Sequence, residues 1–86
     1  MRTRDTETAF RRWFGSQIRA ARTARGLSQS ELARMLPPPI ESRTVRGWEH
    51  GEVFPRPANI AALVDALDTT PQALFCEPDG LPAMSD

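Results

Sequence analysis

The chain has 86 residues, 40% of them hydrophobic, which points to one globular domain with a modest core rather than a disordered chain. No apolar run approaches the roughly 20 residues of a membrane span, the start lacks an apolar signal core, and the lone cysteine, Cys76, excludes an internal disulfide, so the expectation is a cytoplasmic protein. Net charge is zero but unevenly spread: residues 1–46 hold ten arginines against Asp5, Glu7, Glu31 and Glu41, a balance of +6, and residues 47–86 balance it at −6. Such a chain can turn a basic face to an anionic partner and stay soluble. Lysine is absent, which a coding bias toward arginine explains more simply than selection for bidentate contacts.

Residues 1–7 are polar and charged and read as a frayed arm, and the extension before Phe14 either lengthens the first helix or acts as an arm. From Thr8 to Arg25 the pattern is helical, with Phe10, Phe14, Ile18 and Ala21 on one face. Gly26 follows the last periodic residue and suits a left-handed helix end. Ser28 and Glu31 then form a capping box for a second helix, whose buried side is Leu32, Ala33 and Leu36. Pro37, Pro38 and Pro39 end it, because proline lacks the amide a helix needs and restricts the residue before it. A third helix starts near Glu41 or Ser42, either of which can cap it. It faces Val45 and Trp48 inward, leaves Arg43, Arg46 and Gly47 on other faces, and closes at Gly51. Residues 52–56 are a loop, and Pro57 fits the first turn of a fourth helix carrying Ile60, Leu63, Val64 and Leu67. Thr70 and Pro71 start a short fifth helix through Phe75. No segment alternates as a strand would, so the fold class is all-α. The domain is assigned to residues 1–76, with an N-terminal extension over 1–13 and a flexible tail over 77–86.

The stretch Leu27–Gly51 therefore has the sequence form of a helix-turn-helix, which places its second helix in the DNA major groove. From Phe14 to Phe75 the chain resembles the Cro and lambda-repressor (XRE) family of regulators. The resemblance is carried by Ile18, Arg22, Gly26-Leu27-Ser28-Gln29, Glu31-Leu32-Ala33, Val45, Trp48-Glu49 and Gly51. It continues through Pro55, Ile60, Leu63, Ala66-Leu67 and Leu74-Phe75. The turn departs from the family pattern: three prolines and Ile40 follow Leu36, about two residues more than usual for the motif. Ile40 is expected to fill the buried turn position while the prolines bulge outward.

The resemblance implies roles for single residues. Ser42 and Arg43 match positions that reach base edges, and an arginine can bond guanine O6 and N7 together. Arg46 lies three residues on, near the same face, and can contact a base or a phosphate. Ser28 and Gln29, at the start of helix two, match phosphate contacts, with Thr44, Arg22 and Arg56 as further candidates. Arg22 and Glu49 match a structural salt bridge between helices one and three. Gly47 matches a base-contacting position but has no side chain to read with. Trp48 belongs to the core and His50 is exposed near a helix end; Trp13 either caps the core or forms part of a partner surface. The family's dimer surface implicates Leu74 and Phe75.

The function expected is that of a sequence-specific DNA-binding transcriptional regulator, a repressor bound as a homodimer to a palindromic operator in double-stranded DNA. The alternative is an antitoxin that binds both DNA and a toxin protein. A third reading, a protein-interaction module without DNA binding, is favoured by the neutral net charge and Gly47 and disfavoured by Gln29, Arg43 and Arg46. The sequence holds no paired carboxylates, nucleophile–base set or phosphate loop, so no enzymatic activity and no cofactor are expected. One histidine and one cysteine cannot build a usual zinc site, so no metal is expected.

Overall fold

The computed structural model describes residues 3–75, and among these it contains five helices and no strand. Helix α1 spans Thr3–Ala24, α2 Gln29–Met35, α3 Ser42–Glu49, α4 Pro57–Ala66 and α5 Pro71–Leu74. None of them is long and apolar enough to cross a membrane. The flexible tail expected over 77–86 lies outside the described residues.

Helix α1 corrects the expected start. Residues from Thr3 onward are helical rather than a frayed arm. Phe14 and Ile18 are fully buried, but Phe10, one helical turn before Phe14, is 43% exposed. The periodic face therefore runs past the edge of the core. Phe10 is not isolated there: its ring lies 5.6 Å from Phe54 and 5.8 Å from Trp13, and Phe14 stacks on Phe75 at 4.6 Å. Trp13 thus joins an aromatic corner where α1, the loop before α4 and the end of α5 meet.

Capping chemistry places α2. The Ser28 hydroxyl accepts the Glu31 amide at 3.0 Å, and the Glu31 carboxylate accepts the Ser28 amide at 2.7 Å. This reciprocal pair satisfies two amides that have no intrahelical partner. Hydrogen bonding from the Ser28 main-chain amide, and secondly from its side chain, holds the Glu31 carboxyl below its ordinary pKa. Buried Leu32, Ala33 and Leu36 then face Val45 and Trp48 of α3 in one apolar cluster.

The proline turn follows from the arithmetic of amides. Pro37, Pro38 and Pro39 have no N–H to offer, and all three are exposed. The next donor, the Ile40 amide, returns to the Ala33 carbonyl at 3.1 Å, which the Leu36 amide also approaches at 3.4 Å. Ile40 packs half-buried against the core. The chain leaves α2, loops outward and is drawn back before α3 begins. Glu41 occupies the N-cap position of α3, but its side chain makes no capping bond. Its carboxylate accepts from Arg43 Nε at 2.8 Å instead.

Candidate nucleic-acid interface

Helix α3 is held by two fully different surfaces. Its inner face is apolar, with Val45 fully buried and Trp48 3% exposed, and burial of side chains this size contributes roughly 1.5–3 kcal/mol each. Its C-terminal end is ionic. The Glu49 side chain is 1% exposed and accepts Arg22 Nε at 2.6 Å, Arg22 Nη2 at 3.0 Å and Gln29 Nε2 at 3.0 Å. Arg22 Nη1 donates to the Leu27 carbonyl at 2.8 Å. One carboxylate thus ties together α1, α2 and α3. The hydrogen bond to Glu49 holds the Arg22 guanidinium above its ordinary pKa, with burial opposing it. Among the described residues no buried side-chain polar atom lacks a partner.

A second contact sets how closely α1 and α3 cross. A methyl group at Gly15 would lie 2.3 Å from the Trp48 carbonyl oxygen and 2.6 Å from that of Glu49. At Gly51 (φ +76°) it would meet Arg12 of α1 at 2.8 Å. Two glycines therefore let the end of α3 rest on α1 backbone. No sequence motif assigns Gly15 a role. The signal was a glycine in the middle of a helical pattern, which costs about 1 kcal/mol relative to alanine and marks a close approach.

The outer face of α3 carries Arg43, Thr44 and Arg46, all exposed, with Ser42 half-buried. Arg43 pairs with Glu41, but both side chains are largely solvated, and such pairs contribute at most about 1 kcal/mol. An anion of higher charge density can displace Glu41 at little cost. Arg46 has no ion-pair partner among the described residues, and Arg56 stands exposed at the start of α4. Arg43, Arg46, Gly47 and Glu52 line a shallow cleft of about 230 Å³ on this surface.

Several candidates are also engaged within the fold, Arg22 in the expected salt bridge and Ser28 in the expected capping box. Arg22 spends its guanidinium on Glu49 and Leu27, and its side chain is only 12% exposed. It braces α3 rather than standing ready for phosphate. Gln29 turns an amide N–H inward to Glu49, and Ser28 is engaged in its capping box. Leu74 is 3% exposed and belongs to the chain's own core, so at that corner Phe75, 38% exposed, carries the apolar surface. Gly47 is buried.

The helix-turn-helix domain family matches residues 13–75, most of the chain. The chain belongs to the XRE-type helix-turn-helix DNA-binding regulators. Among solved structures, this regulator is similar to the restriction-modification controller protein C.AhdI from Aeromonas hydrophila. The two share 39% identity with a TM-score of 0.72, over 78% of this chain and 98% of the controller. No curated protein matches the chain. The first turns of α1 in this regulator lie before the family match, which begins at Trp13. The turn between α2 and α3, prolines included, lies within it.

Proposed function

We propose that this helix-turn-helix protein binds a two-fold symmetric operator as a homodimer, represses by occupying a promoter, and serves as the controller of a restriction–modification gene set. The observation that carries the reading is the bracing of an eight-residue α3 from behind, by Arg22, Glu49 and Gln29, while Arg46 and Arg43, the latter in a solvated pair with Glu41, stand exposed in front. A recognition helix that must find base edges needs that rigidity. The identity with a controller protein over nearly its whole length supports the gene-control role.

In this reading Ser42, Arg43 and Arg46 meet base edges, and Thr44, Arg56 and the exposed parts of Ser28 and Gln29 meet phosphates. Phosphate contacts supply affinity and register, whereas base contacts supply choice. One helix of eight residues reads few base pairs, so a useful site needs two copies, with half-sites about one helical turn apart. Phe75 and the aromatic corner beside it provide the apolar surface for the second copy.

Arg43→Ala tests the assignment. The expected result is lost preference at one position of each half-site, by roughly 5- to 150-fold, with binding elsewhere in the site unchanged. A uniform loss across all sequences would make Arg43 a phosphate contact instead.

A further inference from the structure

The cleft on the α3 surface contains one residue that no helix-turn-helix argument assigns. Helix α3 ends in a Schellman motif. The Glu52 amide donates to the Gly47 carbonyl at 2.9 Å, the Gly51 amide donates to the Trp48 carbonyl at 3.1 Å, and Gly51 supplies the left-handed residue at φ +76°. This termination reverses the chain, so that the residue after the glycine folds back over the residue five positions before itself. In most such motifs that contact is apolar. Here the two partners are a glutamate and a glycine. Val53 Cγ2 lies 3.8 Å and Glu52 Oε1 3.9 Å from where a Gly47 methyl would stand, so the carboxylate shares this place with one apolar branch. The carboxylate is therefore carried back along α3 into the cleft it shares with Arg43 and Arg46. It forms no side-chain hydrogen bond or salt bridge among the described residues, and it is exposed. Nothing in the fold uses it.

A lone carboxylate on a surface that must meet polyphosphate weakens binding unless it gains something specific. The major-groove edge of cytosine offers a donor, N4–H, and no acceptor of its own. Adenine presents its N6 donor beside the N7 acceptor, and guanine and thymine present acceptors where a carboxylate would sit. We propose that Glu52 is a base-reading residue of this regulator: it reaches the major groove over side-chain-free Gly47 and selects cytosine by accepting its N4–H, beside guanine contacts from Arg43 or Arg46. Gly47 then has a role without a side chain, since it forms the floor over which Glu52 reaches. The inference rests on the DNA-binding reading above, and it assigns specificity to a loop residue outside the recognition helix.

The experiment is sequence selection from random duplex DNA with the full chain and with Glu52→Ala and Glu52→Gln, at one fixed salt concentration. The motif's backbone hydrogen bonds do not involve the Glu52 side chain, so both variants should melt with the wild type. The wild-type site should hold a cytosine in each half-site that Glu52→Ala no longer prefers, a loss of roughly 5- to 150-fold in discrimination. Binding to random DNA should strengthen at the same time, because a negative charge has gone. Glu52→Gln should move the preference toward adenine, whose N6 and N7 an amide bonds together. A merely structural or electrostatic glutamate would not produce that change. If both variants kept the wild-type preference at every position, the proposal would be overturned while the operator-binding reading stood. If the wild type itself selected no site, both would fall.

Discussion

Removing Arg22 should collapse much of the stability of this protein. Arg22→Ala strips three hydrogen bonds from the centre of the brace: two to Glu49 and one to the Leu27 carbonyl. Glu49 is left with its side chain 1% exposed and only Gln29 to answer it. Breaking a buried pair from one side costs about 3–5 kcal/mol, because the remaining charge is uncompensated. A chain this size has roughly 4–13 kcal/mol in all, and each kcal/mol corresponds to about 4–8 °C in Tm for a domain of this length. Arg22→Ala should therefore melt at least about 12 °C below the wild type.

The same reasoning makes a sharper statement about the double variant. Replacing both partners by apolar residues of similar volume, Arg22→Met with Glu49→Leu, removes the charge that would be stranded. Such exchanges are often neutral or stabilising, and half-buried Gln29 can turn to water. The double variant should recover to within about 1 kcal/mol of the wild type. Urea melts of the wild type, Arg22→Met, Glu49→Leu and the double variant close the cycle, with Arg22→Ala measured beside them. A cost below about 1 kcal/mol for Arg22→Ala would refute the reasoning, since the pair would then behave like an exposed surface bridge.

Two further outcomes follow from the packing and the caps. Gly15→Ala gains about 1 kcal/mol of helix propensity but drives a methyl into the backbone of α3, and overpacking costs typically about 1–3 kcal/mol and more where the neighbour cannot yield. Because the neighbours here are the Trp48 and Glu49 carbonyls, net destabilisation is expected in a thermal melt, and a variant as stable as the wild type would show that α1 and α3 are not in backbone contact. Ser28→Ala should cost about 0.5–2 kcal/mol and also flatten the acid side of the stability profile. Glu31 is held below its ordinary pKa when folded, so its contribution is present above the unfolded carboxylate value and is lost as pH falls through the lower folded one. Urea melts between neutral pH and pH about 3 read that slope; the Ser28 main-chain amide still donates to Glu31 in Ser28→Ala, so Glu31→Gln is the control, and a slope unchanged in Glu31→Gln would remove the capping box as its source.

The fold was legible in the sequence wherever one local rule acted alone. Ser28 with Glu31, Gly51 after the third helix, and the periodic Ile60, Leu63, Val64 and Leu67 each declare an element without help from the rest of the chain. The proline turn was also readable, because a residue without an amide can only be looped out, and Ile40 is the first that can return. The start of α1 misled because charged residues carry no periodicity to report a helix extended past the core, and Phe10 was assigned to a face that outruns its cover.

The site was harder to read than the fold. Gln29 reads as a phosphate contact, and the partner of its inward amide N–H, Glu49, lies twenty positions away in sequence. Leu74 reads as a free hydrophobe until α5 folds onto α1, where Gln17 Nε2 donates to its carbonyl at 3.1 Å. Glu52 reads as a loop acid, and only the backbone reversal at Gly51 brings it back over Gly47. In each case the missing information was a long-range contact or a chain direction that no spacing rule encodes.

Selection of bound duplexes from random DNA, repeated across a salt series, tests the central claim most directly. The account predicts one enriched motif with two-fold symmetry, its half-sites about one helical turn apart, and an affinity that falls linearly in log–log form as salt rises. Recovery of no motif, or binding indifferent to salt, would contradict the account, because the exposed arginines of α3 would then be reading neither bases nor phosphates.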